Sequence, residues 1–174
     1  MRSGRRRRTP TQAKRLPRDR KTAAGAVRLR LAPASLYVYA ADFLKAARLT
    51  RSPNRPFRPA QFYLACHAFE LGLRAFLSLR GGLLSDAARR AMGHDLGRLL
   101  SKAHSLGLDE LVQFDSAEVA EISKASVYYT HKVFEYPALA VALRGHPQRP
   151  DVDLLLAVVE ELLSAIRRPC LAQA

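Results

Sequence analysis

Apolar residues recur three and four positions apart in several long stretches of this chain, the spacing that lines one face of an α-helix. Leu36, Tyr39, Ala40, Phe43 and Ala47 mark such a face and predict a first helix over residues 33–49. Pro33 suits its first turn, where the missing N–H has no partner to lose. Three prolines at 53, 56 and 59 exclude regular helix between residues 52 and 59. A second helix is predicted over residues 59–80, closed by Gly81 and Gly82 through a left-handed cap. Phe62, Tyr63, Leu64, Cys66, Phe69, Leu71, Leu73, Phe76 and Leu77 leave it apolar around much of its circumference, as expected of the central helix of a bundle.

Beyond it the elements shorten. Ser85 can cap a short helix to Met92, which Gly93 breaks. Asp95 can cap the next, carrying Leu96, Leu99, Leu100 and Ala103 and ending at Gly107. Asp115 with Glu118 three residues on has the form of a capping box for a helix through Tyr129, striped by Val119, Ile122, Ser126 and Tyr129. Residues 131–150 hold Pro137, Gly145, Pro147 and Pro150 and read as an extended connection. Asp151 caps a last helix with the apolar face Leu154, Leu155, Val158, Val159, Leu162, Leu163 and Ile166, which Pro169 should end. No alternating stretch of strand length and no internal repeat appears. The pattern predicts an all-α, up-and-down bundle of four to five helices over residues 31–168, with a short tail at 169–174.

Length and composition fit that picture. A chain of 174 residues, 48% hydrophobic and 25% charged, suits one globular domain with a core of its own. The net charge of +14 would suggest a nucleic-acid binder, but it is not evenly spread. Residues 1–30 hold 12 of the 29 Lys and Arg against the single acid Asp19; the rest of the chain carries 17 bases and 14 acids. The excess therefore belongs to a disordered basic N-terminal arm and the bundle is nearly neutral. Such an arm can bind phosphates by releasing counterions; the plainer alternatives are a solvated tail or an upstream extension from a misplaced start. No apolar run of signal-peptide length follows Arg5–Arg8, and no stretch reaches the roughly 18 apolar residues of a membrane span. Cys66 and Cys170 are too few for a disulfide framework and lack the spacing of a zinc site. A reducing cytoplasm, no membrane partner, no metal and no cofactor are the expectations.

Three groups of residues could carry chemistry. His67, Glu70 and Arg74 fall along one face of the most apolar helix, where unpaired polar groups are costly. They would line a polar pocket, or else Glu70 simply pairs with Arg74 and His67 lies at the rim of the core. His94 and Asp95 stand at a helix N-terminus, where anions bind readily, although a loop histidine beside a cap would look the same. Tyr128, Tyr129, His131, Lys132, Phe134, Glu135 and Tyr136 interleave rings and charge at a helix end; such mixtures stack on nucleic-acid strands or pack against the open end of a bundle. No Gly-rich phosphate loop and no nucleophile elbow occurs.

The run from Phe62 to Leu77, with His-Ala-Phe-Glu-Leu at its centre, followed by Gly93-His94-Asp95-Leu96 and later Phe134-Glu135-Tyr136-Pro137, resembles small prokaryotic proteins of the HEPN superfamily. The similarity covers roughly residues 33–168. It implies a helical bundle, often a homodimer, acting on or near RNA or nucleotides. Members include metal-independent ribonucleases and toxins, some partnered by a small nucleotidyltransferase or antitoxin; others bind nucleotides or mediate contacts. The nuclease members carry an Arg followed four to six residues later by a His. Here Arg89 with His94 and Arg98 with His104 fit in letters. Neither lies in the late helix where the family keeps its motif; the nearest pair there is Lys124 with His131. The expectation is therefore a binding or interaction module using His67, Glu70, Arg74, His94, Asp95, Tyr129 and Lys132. The alternative is a metal-independent endoribonuclease in which His94 or His131 is the base and Arg89 or Lys132 its charge partner.

Overall fold

The computed structural model describes residues 32–51, 57–82, 91–136 and 149–172. Helices α1 (Pro33–Leu49) and α2 (Pro59–Leu79) each begin on a proline. The shorter α3 (Leu96–His104) is capped by Asp95, whose carboxylate accepts the N–H of Arg98. A 3-10 turn at Leu108–Glu110 leads to α4 (Ser116–Thr130). There Asp115 and Glu118 complete a reciprocal capping box, each side chain accepting the other's backbone N–H. Helix α5 (Val152–Leu171) starts at Asp151, which accepts from the amides of Asp153 and Leu154. No strand occurs among the described residues. The architecture is an all-α, up-and-down bundle.

Helix α2 is its axis and packs against α1, α3, α4 and α5. Phe62, Phe69, Leu73, Phe76 and Leu77 are fully buried along it, facing Leu99 of α3, Ile122 of α4 and Leu155, Leu162 and Ile166 of α5 in one continuous core. Among the described residues it is the one helix long and apolar enough to cross a membrane, and the bundle already buries most of that surface. Cys66 and Cys170 are buried free thiols, and Cys66 serves as a small core hydrophobe.

Most sequence-derived boundaries hold to within a residue or two. Helix α2 stops at Leu79, with Arg80 as its cap and Gly81 left-handed at φ 73°. Three expectations need correction. Tyr39 is 63% exposed, because the buried stripe of α1 runs through Leu36, Ala40, Leu44 and Ala47, and one residue before Ala40 turns away by about 100°. Val119, in the first turn of α4, is 39% exposed, since α4 enters the core only from Ile122 onward. Pro169 does not end α5: the ring removes a single backbone bond in the last turn, and buried Cys170 keeps that turn on the core. The basic arm, residues 85–90 of the helix expected over 85–92, and most of the connection after Tyr136 lie outside the described residues; Ala91 and Met92 are helical.

Candidate functional site

Glu70 is the one acidic side chain buried in the middle of α2, at 2% exposure. Its nearest neighbours on the helix surface lie three residues before it and four after it, which places His67 and Arg74 beside it. Arg74 donates from Nε to Oε1 at 2.8 Å and from its guanidinium to the carbonyl of Gly93. This second bond crosses from α2 to the segment before α3. Gly93 turns there with φ 54°, a left-handed backbone that a side chain would strain, and the turn delivers His94 over the carboxylate. His94 Nδ1 lies 3.1 Å from Oε1 and 3.0 Å from Oε2. Tyr129 of α4 donates its hydroxyl to Oε2 at 2.7 Å. His67 Nδ1 is 2.9 Å from that hydroxyl and 3.6 Å from Oε2.

Two elements hold this arrangement in register. The hydroxyl of Ser126, one turn before Tyr129, accepts the N–H of Leu96 at 3.1 Å and donates to Asp95 at 3.3 Å, tying the start of α3 to α4. Aromatic rings fix the imidazoles. Phe43 of α1 meets His67 edge-on at 4.5 Å, Tyr63 stacks on its face at 5.8 Å, and His94 stands perpendicular to Tyr129 at 6.0 Å. Tyr63 also approaches Tyr129, at 5.8 Å between ring centres.

Burial would push the Glu70 carboxyl up, but hydrogen bonds from His67, His94 and Tyr129 and the charge of Arg74 outweigh it and hold the group down to about 2. The Tyr129 phenol moves the opposite way, raised by burial and by the carboxylate it bonds. Tyr63 is raised as well, by burial and then by Glu135 and Glu70. Glu70 is therefore an ionised, fully engaged carboxylate. The groups facing outward are the imidazoles: the side chain of His94 is 63% exposed and that of His67 24%.

The sequence-derived residues thus divide. His67, Glu70, Arg74, His94 and Tyr129 come together, with Asp95 as the helix cap beside them. Glu70 does pair with Arg74, as the plainer reading had it, but the same carboxylate also gathers His94 and Tyr129. His131 and Lys132 do not join; both are exposed, His131 donating to the carbonyl of Val127 and Lys132 adopting a left-handed turn at φ 58°. Arg89 lies outside the described residues. Of the other basic pairs, His104 is bound to Asp109, while Lys124 is bound to Glu121 and is not joined to His131. Of the aromatic run after Tyr129, Phe134 is buried, stacking on Phe62 at 5.2 Å and on Tyr128 at 5.5 Å, while Tyr136 is exposed. Sequence reasoning missed three contributors. Tyr63 lies one turn before His67 on the same face, a spacing that could have revealed it. Ser126 and the Gly93 carbonyl act through tertiary contacts that no local pattern encodes. Among the described residues no three His, Cys, Asp or Glu side chains assemble as metal ligands. No family model matches the chain, and neither a curated protein nor a solved structure matches it.

Proposed function

We propose that this chain is a HEPN-like helical domain acting as a binding or interaction module for RNA or a nucleotide, as a dimer and in a reducing cytoplasm. One observation carries the reading. Two of the three sequence pieces on which the resemblance rests, the helix carrying His67, Glu70 and Arg74 and the Gly93–His94–Asp95 turn, meet on a single buried carboxylate. A polar cluster set into the most apolar helix of a bundle costs stability unless every group is satisfied, and here the surplus capacity points outward through two imidazoles. The buried thiols accord with a reducing compartment. The test is binding of a short single-stranded RNA and of a nucleotide to the full chain, with His94→Ala and His67→Ala. Loss of affinity in both variants is expected. Affinity unchanged in both would remove the cluster from the binding surface. Sedimentation of the purified protein tests the dimer, and co-purification with a small nucleotidyltransferase or antitoxin would extend the reading to a paired system.

A second reading, metal-independent endoribonuclease, is favoured by one specific feature. His94 is held from behind by a carboxylate, which is how a general base is oriented toward a substrate proton. Against it, Arg74, the arginine of the cluster, is already committed to Glu70 and Gly93. RNA cleavage by the parent in chelator, abolished by His94→Ala, would establish this reading over the first; intact RNA with the parent would end it.

A further inference from the structure

Helices α1 and α5 leave a cavity of about 310 Å³ between them, lined by none of the residues that meet at Glu70. Two ion pairs join these helices, Arg48 with Glu160 and Arg51 with Asp153. The partners advance along α1 while they retreat along α5, so the helices run antiparallel. The Arg48–Glu160 pair belongs to the cavity wall and spans from one helix to the other, which bounds the cavity at that end. The floor is apolar: Leu44 and Leu163 are buried. Ala41 on one wall and Ser164 on the other are small, and they leave the space open. Lys45 and Arg167 line the cavity from opposite helices; both are exposed, and among the described residues neither has an ion-pair partner. Counting back from the Arg48–Glu160 pair sets residue 45 level with residue 163 and residue 41 level with residue 167. The two cations therefore stand one helical turn, about 6 Å, apart along the axes. Their long stems let both charged ends reach one group between them.

We infer that this cavity binds a small amphiphilic acid, its carboxylate held between Lys45 and Arg167 and its apolar body laid on Leu44 and Leu163. The charge on the walls favours an anion. Arg48 and Glu160 cancel one another, which leaves Lys45 and Arg167 as two positive charges that no acid of the protein answers. The floor adds the second requirement. An inorganic anion would satisfy the cations and leave Leu44 and Leu163 facing water; an uncharged apolar molecule would cover the floor and leave the cations unused. A concave, apolar surface with a few polar groups at fixed places is the usual form of a small-molecule site, and the volume lies at the lower end of the usual range. The bounded end and the small volume suit a compact ligand rather than a peptide or nucleic-acid strand, which needs a groove open at both ends. Since the cavity and the Glu70 cluster share no residue, either site can fail without the other.

The experiment is titration of the full chain with octanoate, followed by the amide chemical shifts of nitrogen-15-labelled protein. Two further probes separate the contributions: 1-octanol has the body without the charge, and inorganic phosphate the charge without the body. Octanoate is expected to shift the amides around Ala41 and Leu163 and to saturate, with octanol and phosphate each weaker by about tenfold or more. Lys45→Gln and Arg167→Gln remove cations that have no ion-pair partner, so the fold should not suffer. Each should weaken octanoate by up to about fivefold, the worth of an exposed charge pair. Arg168→Gln, an exposed charge that does not line the cavity, should change nothing. Ser164→Trp fills the space and should abolish binding, with an unchanged urea midpoint showing that the variant is folded. Octanoate that fails to saturate, or that shifts amides outside α1 and α5 instead, would overturn the inference. So would octanol or phosphate binding as tightly as octanoate, or equal octanoate affinity in the parent and the Lys45→Gln, Arg167→Gln double variant.

Discussion

Replacing Glu70 by glutamine tests the centre of the cluster. The side chain keeps its size but loses its charge, and it can no longer accept from Arg74, His94 and Tyr129 together. The magnitude follows from the proton linkage. The carboxyl is held down to about 2 from an ordinary 4.5, so the folded state favours the ionised form. At about 1.4 kcal/mol per unit, ionised Glu70 stabilises the fold by about 3 kcal/mol near neutral pH. The residue is almost fully buried, so solvent screening removes little of that. Glu70→Gln should therefore cost about 3 kcal/mol at pH 7, within the range for breaking a buried pair. A folded-state pKa below the unfolded one gives stability that is complete above 4.5 and lost as the pH falls toward 2. The gap between parent and variant should accordingly shrink by roughly half by about pH 3. Urea unfolding followed by far-ultraviolet circular dichroism, at neutral pH and in steps into acid, reads both numbers. A gap under about 1 kcal/mol at neutral pH, or one that stays constant into acid, would refute the reasoning.

Three further outcomes follow from the same geometry. Gly93→Ala puts a side chain on a left-handed residue with open space around it, so strain alone should cost about 1–2 kcal/mol in the midpoint of chemical unfolding. Tyr129→Phe removes the hydroxyl between Glu70 and His67 and should cost about 1–3 kcal/mol by the same assay, without loss of helical signal. Asp115→Ala, at a capping box away from the cluster, should cost about 1 kcal/mol and leave ligand binding untouched; reduced RNA affinity in that variant would count against placing the site at Glu70.

The helices were legible because their ends carry explicit signals. Pro33 and Pro59 start α1 and α2, and Asp95, Asp115 and Asp151 use side-chain oxygens to satisfy the first amides of the later three. The burial of α2 was legible from residues apolar around much of its circumference. Tyr39 misled because a tyrosine in an apolar-looking stretch can flank a buried stripe as easily as join it. Pro169 misled because a proline in a last turn sacrifices only one backbone bond. Half of the site could be read as well: spacing alone put His67, Glu70 and Arg74 on one face. What spacing could not supply was the meeting of that face with residues 24 and 59 positions downstream. His94 arrives because Arg74 holds the Gly93 carbonyl, and Tyr129 is kept in register by Ser126 on Leu96; both depend on how α3 and α4 dock on α2.

The meeting of α2 and α4 at one carboxylate is tested most directly by a double-mutant cycle on Glu70→Gln and Tyr129→Phe, two buried groups 2.7 Å apart and 59 residues apart in sequence. Direct contact predicts a coupling free energy of at least about 1 kcal/mol, the two substitutions together costing less than their separate costs would give. Costs that add to within about 0.3 kcal/mol would mean that the two side chains do not meet, and the cluster would have to be abandoned.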